Sequence, residues 1–192
     1  MTAALPGTRV GHYLIDRSAS RFTVRAFASG MLSMMGHNPT IAIRDFTGEA
    51  NLDPAVPGHA SLHIRIRADS LEVADEISSK DRKEMESTMK QKVLEVSKYP
   101  DIVFASDHAS ADQVGENRYK LAIQGQLSLR GATRMVPVTA HVTLNGVMLR
   151  ANGDFTILQS DFGIPLVSVA GGALRLKDEL KFTFDIVGRK QE

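Results

Sequence analysis

The 192-residue chain contains no cysteine and no tryptophan, and tyrosine occurs only three times. The absence of cysteine excludes disulfide frameworks, thiolate metal sites and cysteine nucleophiles. It leaves the compartment open, because a cysteine-free chain is stable in both reducing and oxidising surroundings. A chain of this length can bury an adequate apolar core without covalent cross-links.

An excess of charge of one sign is also missing, since 23 basic side chains face 22 acidic ones. A net charge of +1 argues against a nucleic-acid partner and against binding to an anionic membrane surface. The longest stretch without a formal charge, residues 26–43, is interrupted by Gly30, Gly36 and Pro39, so no segment reads as a membrane span. We therefore predict a soluble protein without stable membrane insertion.

The N-terminus lacks the apolar run of a signal peptide, because Pro6 and Gly7 stand where that run would lie. We predict a flexible segment over residues 1–11. If Met1 is the native start, this predicts a cytoplasmic protein, and a periplasmic one if a leader has been removed.

Strict alternation of apolar and polar residues dominates the sequence and predicts strands. Residues 119–158 read as a three-stranded antiparallel meander with one turn over residues 130–133. The second turn, Asn145-Gly146, is typical of a type I′ hairpin. Further strands are predicted around residues 12–16, 22–26, 62–68, 102–106 and 180–186.

Two features predict local bends in these strands. The apolar parity of residues 41–52 slips at Arg44-Asp45, which indicates a β-bulge in one long strand. Glycines inside strand patterns, at Gly48, Gly125 and Gly153, indicate further bends.

One segment has helical periodicity, which we place at about residues 81–92. Its apolar side chains repeat every three or four positions, and Asp81 with Glu84 forms a plausible cap pair. The apolar set is Met85, Met89, Val93 and Val96. The opposite face is interpreted as solvated and consists of Arg82, Lys83, Glu86, Lys90 and Lys92.

About eight long strands and a single helix predict an all-β fold in which one antiparallel sheet closes into a barrel. One helix cannot cover both faces of an open sheet, and closure removes the unpaired edges. A two-sheet sandwich is the alternative. We expect one domain over residues 1–192. A barrel of this size is either filled by side chains or holds one small apolar ligand.

Sequence signatures of enzymes and metal sites are largely absent. The chain has no GxSxG, GxGxxG, P-loop or HExxH motif, and Asp161-Phe162-Gly163 stands without the rest of the kinase set. We interpret Gly163 as a turn residue and Phe162 as packing at one end of the barrel. His59 and His63 would lie about 13 Å apart on a solvent face of a strand, too far apart to share a metal ion.

Methionine is concentrated in an apolar stretch without strand or helix period, at Met31, Met34 and Met35. Methionine adapts to irregular apolar shapes. This stretch and the apolar connection over residues 164–172 either close the end of the barrel or form a lid for a lipid tail. His37 either orders its own loop or places a polar group at the mouth.

Five short segments, in this order, resemble the landmarks of the YceI-like family over nearly the whole chain, from Tyr13 to about Val187. They are YLID with SASRF (13–16 and 18–22), FTG (46–48), KYPDIVFAS (98–106), GQLSLRGAT (125–133) and DFGI (161–164). The resemblance implies a lipocalin-like antiparallel barrel that binds a polyisoprenoid, such as an isoprenoid quinone or polyprenyl lipid. Family members are often dimeric and often periplasmic. KDRKEM at 80–85 departs from the usual family pattern and indicates a divergent branch.

Together these inferences predict a non-enzymatic protein for binding, storage or transport of a long apolar lipid, with no metal and no cofactor beyond a bound isoprenoid or fatty-acid-like molecule. A homodimer is possible. Each buried CH₂ contributes about 0.8 kcal/mol, so no charged anchor is needed. The predicted barrel lining is Phe22, Val24, Ile41, Ile43, Leu62, Ile64, Ile66, Leu121, Ile123, Leu127, Val138, Val142, Leu149, Phe155, Phe182 and Phe184. The predicted mouth or lid is Met31, Leu32, Met34, Met35, His37, Phe162, Ile164 and Leu166.

Two alternative functions stay open at the level of sequence. One is a cavity enzyme that uses His37 or His141 with Asp161 for acid–base chemistry. The other is a packed barrel without a ligand that serves as an interaction or stress-related module, which a cavity volume near zero would indicate.

Overall fold

Residues 10–29, 38–169 and 174–192 are described by the structure, a computed structural model. In these ranges the alternating segments form thirteen strands and the segment of helical period forms one α-helix, α1 (Ser79–Thr88). The strands are β1 (Gly11–Ile15), β2 (Arg21–Ser29), β3 (Thr40–Ile43), β4 (Phe46–Leu52), β5 (Ser61–Arg67), β6 (Leu71–Val73), β7 (Asp101–Ser106), β8 (Ala109–Gly115), β9 (Arg118–Leu129), β10 (Ala132–Asn145), β11 (Met148–Leu158), β12 (Ser168–Val169) and β13 (Leu174–Lys190).

Eight of these strands close into an antiparallel ring in the order β1, β4, β5, β7, β9, β10, β11 and β13. The ring closes because β13 also pairs with β1, with Tyr13 opposite Lys190. This confirms the predicted all-β barrel with one short helix, and the sandwich alternative is wrong, because a closed ladder has no second sheet to face. Gly11, which belongs to the predicted flexible segment, is already part of β1 and pairs with Leu52.

A second tier of strands extends the ring at one end. Beyond β1, the strand β13 continues its ladder with β2, which pairs with β3, and β3 pairs with β6. The predicted bulge at Arg44-Asp45 is in fact a break in two strands, because residues 44–45 stand opposite residues 67–70. Ser70 lies in a 3₁₀ turn between β5 and β6, and its Oγ accepts a 3.0 Å hydrogen bond from the Asp45 N–H. The chain therefore leaves the ring and enters the second tier at this break.

Helix α1 covers the open edge of β6. The Val73 N–H donates to Glu86 Oε1 at 2.9 Å, and Arg82 donates to the Val73 carbonyl and, at 2.7 Å, to the Asp75 carbonyl. Unpaired edge groups need such partners. The predicted solvated face is therefore wrong for Arg82 and Glu86, whose side chains complete the sheet edge.

The helix begins two residues earlier than predicted, with Ser78 as its N-cap. Ser78 Oγ accepts from the Asp81 N–H at 3.1 Å and donates to Asp81 Oδ2 at 2.7 Å. The cap pair is therefore Ser78 with Asp81, and the predicted pair of Asp81 with Glu84 is wrong. After Thr88 the chain continues as a π-helical turn, Met89–Val93.

The two hairpins of the meander use different turns. Arg130 and Gly131 both have positive φ, 51° and 77°, as a type I′ turn requires. The next loop is Gly146-Val147, since Asn145 pairs with Met148, and only Gly146 has positive φ. The type I′ turn predicted at Asn145-Gly146 is therefore wrong by one position and in type.

The strand glycines make room for aromatic rings. The β9–β10 register runs through Gly125 without a shift, and a Cβ on Gly125 would overlap the Phe104 ring. A Cβ on Gly153 would likewise overlap the Thr139 carbonyl and approach Phe184. These glycines permit the close approach of neighbouring groups, whereas their sequence pattern predicts bends.

Candidate functional site

The interior of the ring contains a small apolar cavity of about 110 Å³. Phenylalanine rings fill much of the surrounding space. Phe155 stacks on Phe182 with ring centroids 4.9 Å apart, and Phe22 meets Phe46 edge to face at 4.8 Å. In the described part of the chain, no ionisable side chain lines this ring cavity.

A larger apolar cavity of about 370 Å³, which we call the mouth pocket, lies between the helical segment and the second tier of strands. Helix α1 and its π-turn contribute Met85, Met89 and Val93. The strand side is formed by Val24, Ala26, Ile41, Leu71, Val73, Leu176 and Leu180, and the connection after β11 adds Ile164 and Val167. Methionine side chains adapt their shape to irregular apolar ligands, so this wall suits a flexible tail.

The two cavities share a wall. Ile43, Ile66, Ile102 and Phe182 line both the ring cavity and the mouth pocket. These four side chains therefore lie between the two spaces.

The helical cover is attached to the ring by a clamp at its C-terminal end. Glu95 and Arg130 both have left-handed backbone conformations, with φ of 49° and 51°, and their side chains form a 2.7 Å ion pair. Arg130 also donates to the Gly163 carbonyl. Each such conformation costs about 1–2 kcal/mol for a residue with a Cβ, so the contacts around the clamp must offset this strain.

Polar groups lie at the edge of the mouth pocket. Asp81, Glu84 and Thr88 of α1 contribute to its lining, as does Gln159. Gln159 is 3% exposed, and its Nε2 donates to the Lys177 carbonyl at 2.8 Å. Within the described ranges, no lysine or arginine side chain lines either cavity.

Clear pKa shifts occur outside both cavities. A hydrogen bond from Arg65 lowers the pKa of Asp101, and a hydrogen bond from Arg150 lowers the pKa of Asp185. Both pairs join neighbouring strands of the barrel wall. Perturbed acids in a cleft would favour catalysis, whereas these surface pairs are structural.

All predicted lining residues lie on cavity walls. They are divided between two cavities, whereas the sequence predicts a single barrel interior. Val24 and Ile41 line the mouth pocket only, and Ile43, Ile66 and Phe182 line both cavities. The ring cavity alone is lined by Phe22, Leu62, Ile64, Leu121, Ile123, Leu127, Val138, Val142, Leu149, Phe155 and Phe184. Their role in ligand binding stays a prediction.

The predicted mouth residues have different positions. Ile164 lines the mouth pocket, Phe162 is 2% exposed and packs in the core, and Leu166 is 48% exposed. Phe162 ends a 3₁₀ turn, and Gly163 follows it with a φ of 63°. This agrees with the prediction that Gly163 is a turn residue and Phe162 a packing residue. The remaining predicted residues, Met31, Leu32, Met34, Met35 and His37, lie outside the described residues.

Sequence reasoning missed the helix as a wall of the site. The spacing of Met85, Met89 and Val93 predicts an apolar helix face, and the two methionines on this face indicate an adaptable apolar surface, as the methionines of residues 31–35 do. The spacing of Asp81 and Glu84 predicts a cap pair, whereas the structure places both residues in the pocket lining.

The histidines that the structure describes are not grouped with one another or with Asp161 in a way that would support catalysis. His63 and His141 are exposed on outer strand faces, and His59 ends a 3₁₀ turn outside β5. Asp161 is exposed in the 3₁₀ turn before Gly163. Among the residues that the structure describes, no three His, Asp or Glu side chains are grouped to hold a metal ion, and no helix is long and apolar enough to cross a membrane.

Comparison with known proteins finds similarity in sequence and in fold. The model of the YceI-like domain matches residues 13–188. BcnA from Burkholderia cenocepacia is 20% identical and has a TM-score of 0.69, with 90% of this chain and 98% of that chain covered. No curated protein matches this chain.

Two further solved structures have similar folds. A polyisoprenoid binding domain from Saccharophagus degradans, implicated in plant cell wall breakdown, is 12% identical with a TM-score of 0.68, covering 95% of this chain and 100% of that chain. The YceI protein of Campylobacter jejuni is 16% identical with a TM-score of 0.58, covering 82% and 87%. At these identities the likeness establishes a common fold.

Proposed function

This chain belongs to the YceI-like family, and from that premise we propose that it binds a long apolar lipid of the polyisoprenoid or isoprenoid-quinone type. The observation that carries the proposal is the mouth pocket, an apolar space of about 370 Å³ beneath a methionine-bearing helix. Small-ligand sites in proteins have volumes of about 300–1,000 Å³ and mainly apolar walls. The description of the Saccharophagus degradans neighbour as a polyisoprenoid binding domain supports the same ligand class.

The proposed binding mode places the first isoprene units in the mouth pocket, where Met85 and Met89 adapt to the tail. The ring cavity of about 110 Å³ is too small for a long chain as it stands. A longer tail would enter it by displacing Phe182, which lies in the shared wall. Each buried CH₂ contributes about 0.8 kcal/mol, so a few isoprene units suffice for tight binding.

The proposal treats the protein as a carrier or store without catalytic activity. The described lining of the ring cavity has no ionisable group, and the two carboxylates in the described lining of the mouth pocket, Asp81 and Glu84, both lie exposed at its edge. General acid–base chemistry needs a positioned proton donor and acceptor within reach of the substrate.

The first experiment is extraction of protein purified without detergent, followed by mass spectrometry, together with titration of the purified protein with the C20 prenol geranylgeraniol. We expect a stoichiometric isoprenoid or saturable binding of the prenol. Ala26→Phe, which fills the mouth pocket, is expected to weaken prenol binding at least tenfold. The matched control Ala122→Phe, on the exposed outer face of β9, should bind as the wild type does. Empty extracts combined with no prenol uptake by the wild type would overturn the proposal.

A further inference from the structure

The ionisable side chains that line the mouth pocket, within the described chain, are both carboxylates. Asp81 and Glu84 lie three residues apart on α1, which places them on one face of the helix. Asp81 accepts a hydrogen bond from Ser78 at the helix N-terminus, and both residues are largely exposed to solvent. The polar edge of the pocket is therefore negatively charged at neutral pH.

The basic residues of α1 next to these carboxylates in sequence are Lys80, Arg82 and Lys83, and none of them lines the pocket. Arg82, between the two carboxylates in sequence, donates to the carbonyls of Val73 and Asp75 at the sheet edge. Lys80 and Lys83 do not contribute to the pocket lining. A phosphate headgroup at this edge would therefore meet two carboxylates and, in the described pocket lining, no lysine or arginine.

The hydrogen-bonding character of the edge adds a second constraint. An ionised carboxylate only accepts hydrogen bonds, whereas the Thr88 hydroxyl both donates and accepts. A headgroup with an O–H donor can pair with Glu84 and with Thr88, and a phosphate or diphosphate offers Glu84 only acceptor oxygens at neutral pH. Charge and donor pattern therefore favour the same headgroup class.

We propose that Asp81 and Glu84 make the mouth selective for uncharged, hydroxyl-bearing isoprenoids, of the prenol or quinol class, and against prenyl phosphates. This inference rests on the proposed function and specifies its ligand class. The selectivity arises at the headgroup, because the apolar walls make the same contacts with identical tails.

The test compares two probes with the same tail, geranylgeraniol and geranylgeranyl diphosphate, by calorimetric titration at fixed ionic strength below their micelle concentrations. The wild type is expected to bind the alcohol at least tenfold more tightly than the diphosphate. Glu84→Gln should reduce this ratio, and Glu84→Lys should bring it close to one or invert it. The control Glu76→Lys makes the same change in net charge at an exposed residue outside the pocket lining and should leave the ratio within about twofold.

The outcomes separate this inference from the proposed function. Tight binding of both probes with equal affinity overturns the selectivity and leaves lipid binding intact. Equal shifts in Glu84→Lys and Glu76→Lys also overturn it, because they would show an effect of net charge and not of the pocket edge. Binding of neither probe by the folded wild type overturns the proposed function, and this inference with it.

Discussion

The ring cavity and the mouth pocket are both apolar, yet they are built in opposite ways. Around the ring cavity every neighbouring strand is paired in a closed ladder, and phenylalanine rings pack against one another in the interior. The mouth pocket is covered by a helix with no buried residue, which is held by side-chain contacts to a sheet edge and to Arg130. Packing density and paired backbone stabilise the first region, and the second retains space and adaptability.

The largest expected difference between the two regions comes from deleting a side chain in each. Leu127 is 4% exposed in the ring, and Leu127→Ala should reduce the free energy of unfolding by about 2–5 kcal/mol. Met89 is only partly buried and faces an existing cavity, so Met89→Ala should cost less than about 1 kcal/mol. Urea denaturation of both variants measures the contrast, and equal losses would show that the mouth is packed as tightly as the ring.

Adding one carbon atom tests the packing of the ring directly. Because a Cβ at Gly125 overlaps the Phe104 ring, Gly125→Ala should destabilise the fold by about 1–3 kcal/mol. Gly146 has open space around its Cβ position, so Gly146→Ala should incur only the cost of a left-handed conformation, about 1–2 kcal/mol at most.

A double-mutant cycle identifies the cause of the Gly125 effect. Combined with Phe104→Leu, the Gly125→Ala change should cost markedly less than it does alone, because the overlapping ring is gone. Additive costs in thermal or urea unfolding would contradict overlap with Phe104 as the mechanism.

The smallest expected effect concerns Asp16, in the connection between β1 of the ring and β2 of the second tier. Hydrogen bonds from Ser18 and Arg189 lower the pKa of Asp16 from its usual 3.8 to about 2. Because the folded-state pKa is depressed, ionised Asp16 stabilises the fold above about pH 4, and this contribution is lost as the pH falls towards about 2. Asp16→Asn should therefore show a shallower decline of the urea midpoint over this range. A decline identical to that of the wild type would assign the acid sensitivity to other carboxylates.

The sequence predicted the ring well because strand alternation is a local signal. Leu121, Ile123 and Leu127 occupy odd-numbered positions of one strand, and this alternation predicts that their side chains point inward. All three are buried in the ring. The volume left between them could not be predicted in this way, since it depends on how Phe155 and Phe182 stack across strands distant in sequence.

The mouth was predicted less completely because its construction depends on tertiary contacts. The roles of Arg82 and Glu86 follow from an unpaired edge on β6, and no pattern within the helix reveals that edge. The clamp between Glu95 and Arg130 joins a helix end to a hairpin turn, and both residues have a backbone conformation that sequence patterns assign to glycine or asparagine. Met85 and Met89 did carry a readable signal, since methionine on a regular helical face already indicates an adaptable apolar wall.

The attachment of the helical cover has a consequence for the kinetics of exchange. Its contacts involve charged groups at or near the surface, at Arg82, Glu86, Glu95 and Arg130, and added salt screens such interactions while leaving apolar burial in the ring intact. Salt also screens the ion pairs on the barrel wall, such as Arg65 with Asp101, but exposed pairs of this kind contribute little beside the paired strands and the apolar core, so ionic strength acts more on the cover than on the barrel. We expect dissolved salt to change how fast a bound molecule enters and leaves far more than it changes the melting of the protein.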